Sequence, residues 1–360
     1  MISSNDSKRS KLPRGGYPIL LLLTLISFYL ISRENNLVVE LHNRIGEIPF
    51  LVFSLAVALV FCLWLIPGST NLMTNSAAGL AEKLLGTKQR TLVINSTTNL
   101  PELFLMLSSF GLEKLGGVAT PLGSNFANIY LMFAMAPIMV MSKWLLLGQF
   151  ARIRNFIELL KKERKLVIWH LIISLTMLTF SSGACWSITG ILPLMTWPQN
   201  TLIRTGNFLL IGGCICLMGI VVYFLLEERL KRKRPEIFEE IESEDFTPSW
   251  LKFFLGTVGV ILCCYLLNLF FIACTELYEP LLKSFFGAAI FAYLHYFIGS
   301  LISSLPETTI AVKNYERLNS SDLNTALSSA SISNMSNLGI AFLGSILASL
   351  LVSLGWISEL

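Results

Sequence analysis

Long apolar runs alternate with short polar connections along the chain, centred on residues 17–32, 49–67, 91–110, 119–144, 166–186, 206–226, 251–273, 285–312 and 323–345. Each approaches the ~20 residues a helix needs to cross a bilayer. The pattern predicts an all-α polytopic membrane protein with about nine transmembrane helices. The runs are continuous rather than alternating, which argues against a closed β-barrel. SITGILPLMTWP (187–198) is too short to cross and carries Pro193 and Pro198, so an interfacial or re-entrant connection is expected there. ILASLLVSLGWIS (346–358) either extends the last span or lies at the interface.

Composition agrees: 54% of the 360 residues are hydrophobic and only 14% charged, with a mean hydropathy of +0.66. A soluble domain is about 25% charged. The net charge of +4 sits in clusters beside the apolar runs, so it speaks to topology and not to nucleic acid. Basic loops face the cytoplasm. Lys8, Arg9, Lys11 and Arg14 place the N-terminus inside, as Lys83, Lys88 and Arg90 do the 80s. RIRNFIELLKKERK (152–165) and EERLKRKR (227–234) both fall inside when nine spans are counted; a tenth at 187–198 would push the second outside. The first run, with its basic flank and no small-residue cleavage site, reads as a retained signal anchor. An integral protein of the cell membrane, inner or plasma, is expected, with the lipid bilayer as its partner.

Four regions follow from this division: 1–48, a cytoplasmic tail plus the extra span; 49–226, a first half; 227–250, a charged cytoplasmic loop read as a solvated linker; and 251–360, a shorter second half. The seven cysteines lie in apolar segments without disulfide or zinc spacing and are read as packing residues. No phosphate-binding glycine loop or covalent catalytic motif is present, so no enzyme activity and no cofactor are expected.

The chemistry lies in two copies of one motif, TTNLPELF (97–104) and ISSLPETT (302–309). Aligning Glu102 with Glu307 pairs Thr98 with Ser303, Asn99 with Ser304, and Pro101 with Pro306. Ahead of them, GSNFAN (123–128) resembles ISNMSN (332–337), and STNL (69–72) falls on CTEL (274–277). By the topology above the two copies run in opposite directions, which is an inverted repeat of the kind many secondary transporters use. Pro101 and Pro306 each remove a backbone donor and break or kink their helix. The carbonyls freed near 97–98 and 302–303, with the side chains of Thr98, Asn99, Ser303 and Ser304, then offer oxygens to a cation. Glu102 and Glu307 are ionisable groups deep in an apolar layer, where such groups mark function by default. Two carboxylates balance one divalent cation, and hard oxygens suit Ca²⁺ or Na⁺ rather than zinc or copper. A neutral, hydrogen-bonded glutamate used for helix packing is the alternative for either copy alone. Ser124 with Asn128, and Ser333 with Asn337, share a helix face by i, i+4 spacing, which helix packing explains as well as ion coordination does.

These residues resemble the two repeats of the cation/Ca²⁺ exchanger superfamily, closest to its sodium/calcium exchanger branch. The likeness runs from about Gly68 to Lys143 and from about Ala273 to Ser345. It implies a ten-helix inverted-repeat fold with cation sites midway between the repeats. It also implies Ca²⁺ extrusion driven by Na⁺, or by H⁺ in a sister branch, through sliding of the first two helices. Carried over, Glu102 and Glu307 are central Ca²⁺ ligands shared with Na⁺, Thr98 and Ser303 supply oxygens, as do Asn99 and Ser304, and Ser124, Asn128, Ser333 and Asn337 complete the outer sites. Thr97, Ile302 and Ile332 stand where the family has glycine, Asn99 where it has serine, and Asn337 where several members have aspartate. The resemblance places the end of the chain near the eighth family helix, so the last two family helices have no counterpart and one extra span precedes the first.

Three functions remain in view: an Na⁺/Ca²⁺ antiporter, an H⁺-coupled cation antiporter, and a non-transporting scaffold or sensor that keeps the exchanger fold. His295, about three turns before Glu307, is either a proton relay or a satisfied histidine on a helix face.

Overall fold

The structure is a computed structural model, described here for residues 37–85, 90–111, 118–189, 206–235, 248–278, 280–281, 284 and 300–356. The expected first span (17–32), His295, most of 187–198, the middle of the 227–250 loop and the first half of the 285–312 span lie outside the described residues.

Every described element is helical: α1 (Leu37–Ile45), α2 (Glu47–Val60), α3 (Ile66–Leu85), α4 (Arg90–Thr97), α5 (Leu100–Gly111), α6 (Ala119–Tyr130), α7 (Ala136–Leu146), α8 (Phe150–Lys162), α9 (Arg164–Thr189), α10 (Gly206–Lys233), α11 (Trp250–Leu277), α12 (Leu305–Tyr315) and α13 (Ser320–Ser353). Among the described residues six helices are long and apolar enough to cross a membrane: Glu47–Leu84, Thr120–Leu146, Arg164–Ile188, Asn207–Lys233, Trp250–Leu267 and Ser320–Ser353. The chain is therefore an all-α, multi-spanning membrane protein. It separates into a small unit, Met1–Ala58, and a main unit, Leu59–Leu360.

In the main unit α13 is the axis. Its 34 residues pack on α4, α5, α6, α9, α10 and α12. It continues through Ser353, so the apolar tail after 345 extends the last span. The core around it takes Ala326, Leu327, Ala330, Leu338 and Ala341 from α13 itself, with Met177 from α9 and Tyr223 from α10. Small residues let these helices approach. A Cβ at Gly256 on α11 would run into the Met73 backbone of α3, so these two helices meet backbone to backbone. Close packing of this kind drives helix association in lipid, where burial of apolar surface alone does not.

Prolines shape two of the long spans. Pro67 and Pro137 each follow a π turn, at Phe61–Leu65 and Leu131–Met135. A wide turn absorbs the donor that proline lacks. In that register Pro137 cannot donate to the Met132 carbonyl, which instead accepts the buried Tyr315 hydroxyl at 3.0 Å. This bond ties α12 to the α6–α7 span. The basic stretch 152–165 forms α8 and the start of α9. Phe156 of α8 stacks edge-on between Trp144 and Tyr315, with ring centroids 5.8 and 5.7 Å away.

The α9 and α10 charged ends come together. Buried Glu163 accepts from Arg234 at 3.1 Å and from the Ser320 hydroxyl at 2.9 Å. Both basic stretches, 152–165 and 227–234, thus lie at one end of the bundle. The α12–α13 turn lies there too: Lys143 pairs with Glu316 at 2.5 Å, and Arg317 with Asp322 at 3.1 Å. Leu318 in this turn has φ 59°, and Asn319 caps α13 by accepting from the Asp322 amide at 2.7 Å. All seven cysteines are free thiols, five of them buried, with Cys62 half-buried and Cys214 exposed.

Candidate functional site

Both Leu-Pro-Glu motifs sit at helix breaks. α4 ends at Thr97, a turn occupies Thr98 and Asn99, and α5 begins at Leu100 with Pro101 as its second residue. In the other copy a turn at Ser304 precedes α12, whose second residue is Pro306. Proline fits the first turn of a helix because its missing donor has no partner there anyway. Each break therefore places a glutamate in the first turn of the following helix, where the dipole favours a negative charge. Pro101 and Pro306 are both buried.

The polar side chains of these breaks converge with those of α6 and α13. Thr98, Glu102, Ser124, Asn128, Ser303, Ser304, Glu307, Ser333 and Asn337 are fully buried, and Asn99 is 1% exposed. Hydrogen bonds link several of them across the chain. Ser124 and Ser303 share a hydroxyl–hydroxyl bond of 2.9 Å. The Ser333 hydroxyl lies 2.6 Å from Asn99 Oδ1 and 3.2 Å from Glu307 Oε1, while Asn128 donates to Ser333 Oγ at 2.9 Å. The Thr98 hydroxyl hydrogen-bonds the Glu307 carboxylate, and Glu102 is its neighbouring carboxylate.

Around this network lie oxygens that no described group meets in good hydrogen-bond geometry. Both carboxylate oxygens of Glu102 are buried without a hydrogen bond, as are Glu307 Oε2, Ser304 Oγ and Asn128 Oδ1. The Ser124 and Ser303 hydroxyls share one hydrogen bond, which leaves one of the two protons to turn towards the adjacent Glu102 carboxylate. Asn337 makes no hydrogen bond through either side-chain atom. An unsatisfied buried carboxylate costs far more than a neutral group. Orphaned oxygens of carboxylate, amide and hydroxyl type form a donor set that a hard cation would complete. One carbonyl freed by proline is engaged otherwise: Ile302 O accepts the Cys264 thiol at 3.8 Å.

Asn125 and Asn334 carry the join between α6 and α13, a role that i, i+4 spacing does not single out. The Asn125 side-chain amide donates to the Asn334 carbonyl at 3.2 Å, and the Asn334 amide donates to the Asn125 carbonyl at 3.1 Å. Asn334 Oδ1 also accepts from Asn128 at 3.0 Å. The signal was available, since both asparagines follow the serines of GSNFAN and ISNMSN. The i, i+4 spacing links Ser124 with Asn128 and Ser333 with Asn337 and leaves out the asparagine after each serine.

The other buried carboxylates and the buried histidine stand apart. His170 on α9 bonds Asn324 Oδ1 through Nε2 at 2.8 Å and lies 3.4 Å from the Ser331 hydroxyl through Nδ1. Glu163 and Asp322 have their arginines. Among the described residues no three His, Cys, Asp or Glu side chains gather into a metal-binding group.

Fold and site together define a multi-spanning helical membrane protein with a buried polar centre at two broken helices. No family model, no curated protein and no solved structure matches the chain.

Proposed function

We propose that the protein is a secondary-active cation antiporter, exchanging Na⁺ for Ca²⁺ by alternating access at a midplane centre built on Glu102 and Glu307. The reading includes an inverted-repeat exchanger fold in which α4–α5 with α6 correspond to α12 with α13. The observation that carries it is the pair of fully buried glutamates with orphaned carboxylate oxygens, each in the first turn after a proline break. Glutamates kept only for packing would be fully hydrogen-bonded, and three of these four carboxylate oxygens have no hydrogen bond of good geometry among the described residues.

In this mechanism Thr98, Asn99, Ser303 and Ser304 present oxygens at the breaks, and Ser124, Asn128, Ser333 and Asn337 supply the walls. Ca²⁺ is the substrate, drawn by two carboxylates and matched by oxygen donors. An empty centre carries uncompensated charge, and charge is costly to hold in a hydrocarbon layer. Reorientation between the two membrane faces then requires a bound cation, and this requirement couples the fluxes of the two ions.

The test is radiolabelled Ca²⁺ uptake into Na⁺-loaded liposomes on dilution into Na⁺-free buffer at matched pH. Wild-type protein takes up Ca²⁺, and Glu102→Gln and Glu307→Gln each lower uptake by at least about 100-fold, beyond the loss typical of outer-shell changes at metal sites. Uptake driven by a pH gradient alone assigns the protein to proton coupling. Silence under both gradients from folded protein leaves the non-transporting scaffold.

A further inference from the structure

We infer that α8 is a membrane-surface helix whose outer flank binds anionic phospholipid headgroups through Arg154 and Lys161. The lipids belong to the leaflet at the charged end of the bundle. This surface lies apart from the glutamate centre and does not depend on the antiporter reading.

Position comes first. The span Thr120–Leu146 ends just before α8, and the span Arg164–Ile188 begins just after it. Gly148, at φ 67°, turns the chain between α7 and α8. The Gly148 and Gln149 amides close that turn on the Leu145 and Trp144 carbonyls, at 3.1 and 2.8 Å. α8 therefore lies at the level where two spans leave the apolar layer.

Its faces differ in chemistry. At about 3.6 residues per turn, Ile153, Phe156, Leu159 and Leu160 share the inner face and pack on the core. Arg152 borders this face, its guanidinium 5.3 Å from the centre of the Trp144 ring and 3.4 Å from the Glu316 carbonyl it donates to. Phe150, Arg154, Ile157 and Lys161 form one flank by i, i+4, i+7, i+11 spacing, and all four are exposed. Leu146 and Leu147, also exposed, lead into α8. The other flank holds Ala151, Asn155, Lys162 and Glu158, the one acid of the helix.

Large exposed apolar side chains at the end of a span mark a lipid contact. A basic side chain beside them lays its stem along the acyl chains and lifts its charge to the headgroups. Arg154 and Lys161 are placed in this way beside Phe150 and Ile157, and neither has an acidic partner among the described residues. The flank is apolar below and positive above, and its complement at this depth is a net negative headgroup. Each basic residue at such a surface adds about fivefold to the affinity for anionic lipid.

The experiment carries bimane on the full chain at Ala151→Cys, in a variant lacking Cys62 and Cys214, in phosphatidylcholine vesicles at low salt. A minor share of phosphatidylglycerol, or in a parallel set of phosphatidylcholine, bears a nitroxide beside the glycerol. Quenching then reports which lipid gathers at α8. The expected result is stronger quenching by the labelled phosphatidylglycerol, with the preference falling in high salt. Arg154→Gln and Lys161→Gln each lower that preference about fivefold, while Lys162→Gln, which removes a charge from the other flank, leaves it. Equal quenching by the two lipids, or an equal loss from Lys162→Gln, overturns the inference. So does a preference that emerges only once the six acids of EIFEEIESED (236–245) are neutralised, which assigns the flank to the chain's own loop.

Discussion

At the scale of single residues, the centre is organised by amides as much as by carboxylates. Asn125 and Asn334 exchange side-chain-to-carbonyl bonds, fixing α6 against α13 at the level where Ser124, Asn128 and Ser333 project. Such bonds within membranes average about 0.6 kcal/mol by double-mutant cycle. Asn125→Ala and Asn334→Ala are each expected to cost about 1 kcal/mol, with a positive coupling between them in the double variant. Thermal unfolding in detergent for the four proteins of the cycle measures this, and strict additivity would remove the clasp from the account. The sequence held these two residues in plain view at matching positions, yet their partners are main-chain carbonyls about 200 residues distant, which no local pattern encodes.

At the scale of elements, the helix breaks are the functional architecture. Pro101 cannot donate to the Thr97 carbonyl, so α4 stops and α5 starts afresh with Glu102 in its first turn. Pro101→Ala restores that donor and favours one continuous helix, since proline costs about 3 kcal/mol within a helix relative to alanine. The variant is expected to be at least as stable as the parent and to lose Ca²⁺ uptake by tenfold or more, because Thr98 and Asn99 are drawn into the helix. Unchanged uptake would show that the break is incidental. This element was legible from proline alone. The π turns ahead of Pro67 and Pro137 were not, because the same proline chemistry permits a kink, a break or a widened turn, and packing against neighbours selects among them. The Tyr315 bond to Met132 O is part of that selection at Pro137.

At the scale of the molecule, ion pairs gather where α8, α9, α10 and the α12–α13 turn meet. Glu163 is 4% exposed and joins Arg234 and Ser320, so it locks three segments at one end of the bundle. Glu163→Gln keeps the shape and removes the charge; with Arg234 one-third exposed, we expect a loss of about 1 kcal/mol. A lower unfolding midpoint, less pronounced in high salt, reads this out. Sidedness belongs to the same scale. Cysteines introduced singly at Arg154 and Arg232, in a variant lacking Cys214, are expected to react with an impermeant thiol reagent from the same face of the membrane. Labelling from opposite faces would contradict the shared charged end.

The sequence by itself determined the class of protein, because a helix that spans lipid must satisfy its own backbone and present an apolar surface, and both demands are written locally. It also determined where two helices break, since proline acts on its own turn, and which glutamates are exceptional, since charge in an apolar run is visible without coordinates. Tertiary structure decided which polar groups meet. It placed Ser303 on Ser124 and Ser333 between Asn99 and Glu307, routed the Ile302 carbonyl to Cys264, and left both Glu102 oxygens without a hydrogen bond of good geometry. The physical reason is range. Backbone satisfaction and hydropathy are settled within a few residues, whereas a hydrogen bond between distant helices depends on how closely small residues such as Gly256 let their backbones approach.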